Sequence, residues 1–455
     1  MAPSATGEPA PMHLPAASKA STINASVLHG PRDLRMERRN IEDPSIGELQ
    51  IAVHTTGICG SDVSYYKKFA NGDLCACMPL SLGHESSGTV VAIGPQVTGY
   101  SIGDRVALEV GIPCGQCGIC RRGRYNLCKR MRFRSSAKSV PHFQGTLQER
   151  INHPAVWCHK LPDSISFDAA ALLEPLSVAI HAVNRAQPTP GSTALVIGAG
   201  AVGLLTAAMA RQSGCSTVTI ADVDQGRVDF AIAKGFATHG YVVPQPLHTS
   251  SSCSSLYNGS STASSSGSTS PSSSGTSTPL VDGVLTPATT LSISSQFDYA
   301  KSLAAEMLSL TSSPTSSAFL DDLADEDDGV DVTFECTGKE VCMHTSLYAT
   351  RAGGKVIMVG MGTPVQTIPM SVAHLREIDI LGIFRYANTY ATGIRLLCAR
   401  ERAMKSGMGG LLLPSLDEMV THRFKGLEEA HRAFELASRT VDAEGRLVLK
   451  VVIEA

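Results

Sequence analysis

The sequence lacks an excess of charge of either sign. Its 38 Lys and Arg residues nearly balance its 41 Asp and Glu residues, which gives a formal net charge of −3 at pH 7. Such a chain has no strong field to attract a nucleic acid or an anionic membrane surface. We therefore expect small-molecule partners and neither a nucleic-acid nor a membrane partner.

The sequence also lacks a long apolar run and a recognisable targeting segment. The longest apolar run, 194–210, is interrupted by three glycines and is shorter than the roughly 20 residues that a membrane-spanning helix needs. Residues 1–20 are rich in Ala, Pro and Ser and contain a single Lys, so we expect a disordered tail rather than a secretory signal or transit peptide. These features favour a cytoplasmic location. In that reducing compartment the 13 cysteines would be free thiols that can bind metals.

The chain is long enough for two or three domains, with 455 residues of which 43% are hydrophobic. Its first part contains short runs rich in β-branched residues, at 49–53, 88–94 and 104–108, and these runs are separated by Gly and Pro. This pattern predicts an antiparallel, barrel-like β domain.

Two polar stretches lie in loops between these predicted strands. The first contains Cys59, within Ile58-Cys59-Gly60-Ser61-Asp62, and the second contains His84 and Glu85. A thiolate, an imidazole and a carboxylate can bind zinc while leaving one tetrahedral position open, and an open zinc makes an alkoxide accessible near neutral pH. A buried core His and an ordinary buried Cys are the alternative, but the adjacent acid and the flanking glycines favour a catalytic metal site.

A second group of cysteines is closely spaced within residues 111–131. Its members are Cys114, Cys117, Cys120 and Cys128. Four thiols on short loops can surround one tetrahedral ion and leave no position open, which predicts a structural zinc. An iron–sulfur cluster and a chance grouping are the alternatives.

One carboxylate lies inside an apolar segment. Glu174 belongs to 167–182, which the pattern predicts as a helix broken by Pro175. A buried charged carboxylate needs a partner, and zinc or a zinc-bound water would provide one. A helix-terminal Glu that reaches solvent explains the same spacing.

A dinucleotide-binding pattern begins at residue 194. The apolar strand 194–197 leads directly into Gly198-Ala199-Gly200-Ala201-Val202-Gly203, a helix follows, and a second strand ends at Asp222. Gly-x-Gly-x-x-Gly between a strand and a helix lets backbone N–H groups bind a pyrophosphate. An acid at the end of the second strand accepts from ribose hydroxyls and repels a 2′-phosphate, which favours NAD over NADP. The predicted cofactor-binding residues are Gly198, Gly200, Val202, Gly203, Asp222 and Arg227.

A Ser-rich tract, 247–296, interrupts this second domain and is predicted to be a disordered insertion. Further strands follow at 330–338 and 354–360, and a last strand, 447–453, is predicted to return to the first domain. The resulting α/β fold has a β-barrel domain and a doubly wound parallel sheet. The predicted domain boundaries are 21–176 with 387–455 for the catalytic domain and 177–386 for the NAD-binding domain.

With these residues assembled, the chain resembles the zinc-containing medium-chain dehydrogenases, and within them the sorbitol, xylitol and fungal L-arabinitol dehydrogenases. The resemblance rests on the two metal loops around Cys59 and His84, on 173–178 and 334–338, and on Phe384-Arg385-Tyr386 with Asn388-Thr389. Residues 111–131, which hold the four cysteines and are called the Cys₄ lobe below, and residues 152–160 are most similar to the L-arabinitol branch. The resemblance implies a GroES-like catalytic domain, a Rossmann NAD-binding domain and a homo-oligomer, in this family a tetramer.

The resemblance also implies roles for individual residues. Cys59, His84 and Glu85 would bind the catalytic zinc, with Glu174 binding the zinc-bound water or ligating in its place. The polyol pocket would be lined by Ser61, Tyr65, Phe133, Arg385 and Tyr386. This sequence departs from many relatives at Ser64, where they have His, and at Ala387 and Tyr390, where they have Cys and Trp.

The resulting hypothesis is NAD- and zinc-dependent oxidation of a secondary alcohol of a sugar alcohol, with Ser61 or Glu174 passing on the proton. The polyol itself, whether L-arabinitol, xylitol or sorbitol, is left open. A zinc dehydrogenase for threonine, simple alcohols or glucose is the nearest alternative. A non-catalytic NAD-binding regulator and a zinc-stabilised nucleic-acid binder are less favoured.

Overall fold

The computed structural model describes residues 21–244, 293–310, 329–407, 410 and 412–455. The predicted tail, 1–20, lies outside the described residues, and so does most of the predicted insertion. A helix begins at Ile293, although the insertion was predicted to extend to residue 296.

The N-terminal part of the chain is rich in short strands. Its elements in order are β1 (Ser21–Gly30), β2 (Asp33–Ile41), β3 (Glu48–Gly57), α1 (Gly60–Lys68), β4 (Ala70–Asn71), β5 (Leu74–Cys75), β6 (Glu85–Ile93), β7 (Arg105–Leu108), β8 (Gly111–Ile112), α2 (Gly118–Arg121), β9 (Arg132–Phe133), β10 (Arg150–Pro154), β11 (Cys158–Lys160), α3 (Phe167–Ala171) and α4 (Leu173–Ala186).

The middle of the chain alternates strands and helices before a short β-rich end. The elements are β12 (Thr193–Ile197), α5 (Ala201–Gln212), β13 (Thr217–Asp222), α6 (Gln225–Ala233), β14 (His239–Val242), α7 (Ile293–Ser309), β15 (Val330–Glu335), α8 (Glu340–Ala349), β16 (Thr350–Met358), α9 (Met370–Leu375), β17 (Asp379–Gly382), α10 (Tyr390–Ser406), β18 (Val420–Lys425), α11 (Ala430–Ala437) and β19 (Lys450–Glu454).

The larger sheet joins the two ends of the chain. Its strand order is β11-β7-β6-β3-β19-β18. Strand β19 pairs with residues 55–57 of β3, and β10 pairs with residues 48–52 of β3. All the pairings are antiparallel except that of β18 with β19. The strand predicted near the C-terminus therefore does return to the first domain, where it lies beside β3.

The second sheet has six parallel strands in the order β14-β13-β12-β15-β16-β17. The strand order reverses between β12 and β15, and the carboxyl ends of strands at such a reversal form the crevice where nucleotides bind. The apolar strand predicted at 194–197 is β12, and its interior residues are fully buried because neighbours cover both faces. The predicted doubly wound sheet is confirmed.

The helical segment that contains Glu174 is broken at a different residue from the one predicted. The break lies at Leu172, between α3 and α4, whereas Pro175 lies within the first turn of α4. A proline is tolerated there because first-turn N–H groups have no intrahelical partner.

Among the helices of the described ranges, none is both long enough and apolar enough to cross a membrane.

Candidate active site and metal centres

The pairing of β3 with β6 brings the first predicted metal ligands together. Gly57, at the end of β3, lies opposite Glu85, the first residue of β6, and Cys59 follows as the N-cap of α1. The ligand atoms of Cys59, His84 and Glu85 all lie within 4.8 Å of one another. A Cβ atom on Gly57 would clash with the Glu85 carboxylate, so glycine leaves the space that the acid occupies.

Asp62 lies behind this cluster and orients it. Its Oδ1 accepts hydrogen bonds from Oγ of Ser135 at 2.6 Å and from the backbone N of Gly83 at 3.3 Å, and it lies 3.2 Å from Nδ1 of His84. A neutral His84 that donates from Nδ1 to this carboxylate leaves Nε2 free to bind a metal. Burial opposes ionisation of Asp62, but His84 and the hydrogen-bond donors hold the pKa of this carboxyl below its usual value.

Lys450 is a site residue that the sequence did not reveal. Its Nζ lies 2.8 and 2.6 Å from the two carboxylate oxygens of Glu85, and it also donates to the backbone O of Ile58 at 3.2 Å. Both charged side chains are almost completely buried. The only feature of the sequence that could have pointed to Lys450 is that it is the single charged residue within the apolar strand predicted at 447–453.

Glu174 lies in the first turn of α4 and is 5% exposed, so it does not extend into solvent. Burial raises the pKa of Glu174 to about 7, and the nearby His84 acts against that rise. Glu174 is not a member of the group whose ligand atoms converge with Cys59. The carboxyl group therefore lies in the electrostatic field of the cluster but outside its closest contacts.

Two of the predicted pocket residues, Phe133 and Arg385, lie next to each other and close to the metal cluster. The ring centroid of Phe133 lies 5.4 Å from that of His84, and the guanidinium carbon of Arg385 lies 3.6 Å from the Phe133 centroid. Nη1 of Arg385 and the hydroxyl of Tyr386 are buried and have no hydrogen-bond partner among the described residues. The Phe133 ring thus lies beside both His84 of the metal cluster and the guanidinium of Arg385.

The other two predicted pocket residues lie on α1. The hydroxyl of Tyr65 accepts a hydrogen bond from the backbone N of Ala137 at 3.1 Å, and the ring is 2% exposed. Ser61 lies in the first turn of the helix, directly after the Cys59 loop. At the positions that depart from the relatives, the Ser64 hydroxyl donates to the O of Ala70, and the buried ring of Tyr390 stacks on His159.

The four clustered cysteines also converge. The sulfur atoms of Cys114, Cys117, Cys120 and Cys128 lie within 4.8 Å of one another. Backbone N–H groups of Gln116 and Cys117 lower the pKa of Cys114 to about 6, which favours the thiolate that binds metal. We call residues 111–131 the Cys₄ lobe.

The glycine turn lies at the reversal of strand order. Gly198 has φ of +104° between β12 and α5, a conformation that favours glycine, and a Cβ on Gly203 would overlap the backbone O of Gly198. Gly200 is the N-cap of α5, and a Cβ there would meet no atom within 4 Å. In this turn Gly198 therefore permits the bend, Gly203 permits close packing, and Gly200 faces open space.

The remaining predicted cofactor residues lie beside this turn. Oδ2 of Asp222, at the end of β13, accepts a hydrogen bond from the backbone N of Ala199 at 2.6 Å. Val202 lies in the first turn of α5. Arg227 lies in α6, and its buried Nε has no partner among the described residues.

Comparison with known proteins identifies the family. The model of the alcohol dehydrogenase GroES-like domain matches residues 45–163, and that of the zinc-binding dehydrogenase matches residues 282–399. Sorbitol dehydrogenase of Gallus gallus is 34% identical over 415 residues, which cover 91% of this chain and 93% of the relative. The chain belongs to the zinc-containing medium-chain dehydrogenases, in the group that includes the sorbitol dehydrogenases.

One further relative and one solved structure of the same fold have a different named substrate. L-idonate 5-dehydrogenase of Vitis vinifera is 32% identical over 399 residues, 87% of each chain. The structure of L-idonate 5-dehydrogenase from Escherichia coli superimposes with a TM-score of 0.71, covering 97% of this chain and 100% of that one. At 22% identity the second comparison shows the fold alone.

The donor sets of this dehydrogenase fit zinc. Sulfur, nitrogen and oxygen donors from Cys59, His84 and Glu85 form a three-residue set of the kind that leaves a coordination position open, and four thiols form a closed set.

Proposed function

We propose that this dehydrogenase oxidises a secondary alcohol of a sugar alcohol to the ketose, reversibly and with NAD. The observation that carries this proposal is that the Phe133 ring lies close both to the guanidinium of Arg385, at 3.6 Å, and to the ring of His84, at 5.4 Å between centroids. The unpaired Nη1 of Arg385 and hydroxyl of Tyr386 are suited to a hydroxyl-rich chain, because such groups are costly to leave buried and unpaired.

Cys59, His84 and Glu85 are the proposed ligands of a catalytic zinc, and the Cys₄ lobe is the proposed site of a structural zinc. When bound, zinc supplies Lewis acidity that favours ionisation of an alcohol, and NAD accepts the hydride. The direct ligand could be Glu85 or Glu174. Because Lys450 holds both oxygens of Glu85, ligation by Glu85 requires that the carboxylate be shared between Lys450 and the metal.

The protein's own residues have separate proposed roles. Arg385, Tyr386, Tyr65 and Phe133 hold and orient the polyol. Ser61, beside Cys59, or the buried carboxyl of Glu174 accepts the alcohol proton and passes it towards solvent.

NAD is the proposed acceptor. Gly198, Gly200, Val202 and Gly203 would hold its pyrophosphate at the N-terminus of α5. Asp222, with Arg227 on the next helix, would bind the adenosine ribose, and the Asp222 carboxylate would repel a 2′-phosphate.

A substrate panel tests the proposal. Zinc-loaded protein is assayed with sorbitol, xylitol, L-arabinitol, galactitol and 2-propanol, each with NAD and with NADP. We expect at least one polyol to have a higher kcat/KM than 2-propanol, with NAD preferred. Failure to oxidise any of the four polyols would contradict the proposal.

An arginine variant links the activity to the pocket. Arg385→Leu should lower kcat/KM for the preferred polyol roughly 10- to 100-fold, the range for losing a charged hydrogen-bond donor. Arg395→Leu, at an exposed position of α10, is the matched control and should leave kcat/KM unchanged.

A sugar acid is a second candidate substrate. The buried, unpaired Nη1 of Arg385 is also suited to a carboxylate, and a relative named L-idonate 5-dehydrogenase is 32% identical. A higher kcat/KM for L-idonate than for every polyol in the panel would favour this candidate.

Location and assembly complete the proposal. The cysteines of the described residues are all free, which supports a reducing, cytoplasmic location. A homotetramer is proposed from the family resemblance, and light scattering of the purified protein tests it.

A further inference from the structure

The loop that carries Arg385 and Tyr386 has an unusual backbone. Arg385 has φ of +51° and Asn388 has φ of +59°. Residues other than glycine seldom adopt this conformation, and surrounding contacts must hold it. The placement of the two pocket side chains therefore depends on what fixes residues 384–388.

The Cys₄ lobe provides those contacts. Nδ2 of Asn126 donates to the backbone O of Phe384 at 2.8 Å. At the other end of the loop, Nδ2 of Asn388 donates to the backbone O of Gly123 at 2.8 Å, and its backbone N donates to the hydroxyl of Tyr125 at 2.7 Å. Both ends of the loop are thus hydrogen-bonded to the same short segment of the lobe.

Residues of the loop and the lobe also line a small, partly open cavity. Its volume is about 10 Å³, roughly the space for one water molecule. Its lining includes Asn126 of the lobe, Phe133 of β9, and Arg385 and Tyr386 of the loop. Oδ1 of Asn126, like Nη1 of Arg385 and the Tyr386 hydroxyl, is buried without a partner among the described residues. A shift of the loop against the lobe would therefore move the groups that can meet a substrate hydroxyl.

We propose that Asn126 and Asn388 are positioning residues, which fasten the Arg385–Tyr386 loop to the Cys₄ lobe and so set the affinity for a hydroxyl-rich substrate. The inference rests on the proposed function for the identity of that substrate. Asn126 is the stronger fastening because it is 3% exposed, whereas Asn388 is exposed to competing water.

Two variants separate the hydrogen bonds from backbone effects. Asn126→Leu keeps the approximate size of the side chain and removes its donor. Asn388→Gly removes the donor to Gly123 and tolerates the positive φ. Asn152→Leu is the matched control, because Asn152 also donates to a backbone carbonyl, that of Glu42, in another part of the catalytic domain.

The experiment measures kcat, the KM values for the preferred polyol and for NAD, and amide hydrogen exchange of residues 384–390 in the zinc-loaded protein. We expect Asn126→Leu to raise KM for the polyol about three- to tenfold, the range for losing one hydrogen bond. Its kcat and its KM for NAD should change little, and amides 384–390 should exchange faster. Asn388→Gly should act in the same direction to a smaller extent, and the control should show neither effect.

Either of two results overturns the inference. One is unchanged polyol KM and unchanged loop exchange in Asn126→Leu, even if thermal stability falls. The other is an equal loss in kcat and in KM for NAD, which indicates general disorder of the site. If the wild-type protein oxidises no polyol, the proposed function fails, and hydrogen exchange of the loop still decides whether Asn126 fastens it.

Discussion

The two groups of metal-binding side chains differ in how the chain assembles them. Cys59 and His84 come from separate loops that meet only because β3 pairs with β6, whereas the four thiols lie within one short lobe. Cys59, His84 and Glu85 combine three kinds of donor at a mostly buried position, while the cysteines use one kind of donor nearer the surface. The first group depends on the tertiary fold, and the second can close around an ion locally.

The two groups also differ in what stabilises their negative charge. In the lobe, backbone N–H groups point at sulfur, for example from Cys117 to Sγ of Cys114 at 3.4 Å. At the catalytic group, a side-chain cation, Lys450, is paired with the Glu85 carboxylate. A single substitution at Lys450 can remove the cation that is paired with Glu85, whereas no side-chain substitution removes the backbone N–H groups of the lobe. The difference between the two groups can therefore be tested.

The largest expected effect is on activity. Cys59→Ala removes a donor from the three-residue group, and we expect polyol oxidation to fall to background because the open metal position is lost. Metal analysis should show one zinc fewer per chain, with little change in Tm. Cys215→Ala, at a buried cysteine outside both groups, is the control and should keep full activity.

A substitution in the Cys₄ lobe should mainly lower thermal stability, whereas Cys59→Ala should mainly lower activity. Cys120→Ser opens a closed four-thiol set, and loss of a structural metal is among the changes that cost more than about 4 kcal/mol. For domains of this size that corresponds to a fall in Tm of roughly 8–16 °C. Calorimetry measures it, with exposed Cys75→Ser as control. If Cys120→Ser left Tm unchanged but abolished polyol oxidation, the assignment of the lobe as structural would be contradicted.

The Glu85–Lys450 pair yields a prediction that depends on metal. Lys450→Met leaves a buried carboxylate without its cation, and breaking such a pair costs about 3–5 kcal/mol. We expect that loss in zinc-free protein and a smaller loss with zinc bound, because the metal would then compensate Glu85. Denaturant unfolding with and without zinc measures both values. Lys425→Met, at an exposed position of β18, should change neither. Equal losses in the two states would argue against zinc binding by Glu85.

The spacing of residues within short stretches of sequence predicted many of the structural elements. The features that it did not predict depend on contacts between residues far apart in the chain. The Cys₄ lobe, the glycine turn and the strand 194–197 are each encoded within a few neighbouring residues, so their patterns were readable. Lys450 and Glu85 are separated by 365 positions, and their pairing follows from the place of β19 beside β3. The sequence predicted that strand's return to the first domain but not which side chain it would bring to the metal cluster. The insertion and the N-terminal tail remain predictions.

The smallest expected effect concerns a residue that touches neither metal nor substrate. Asp62→Asn keeps the size of the side chain but weakens the acceptor for Nδ1 of His84, and loss of such a supporting carboxylate costs about 10- to 100-fold in metal affinity or activity. Zinc titration of the apo-protein measures the affinity, with exposed Asp43→Asn as control. The zinc of the lobe should bind as in the wild type, because its four proposed ligands are Cys114, Cys117, Cys120 and Cys128 and do not include His84. A parallel loss of lobe zinc would mean that the two centres are coupled through the fold, and the contrast between a fold-dependent and a local metal site would no longer hold.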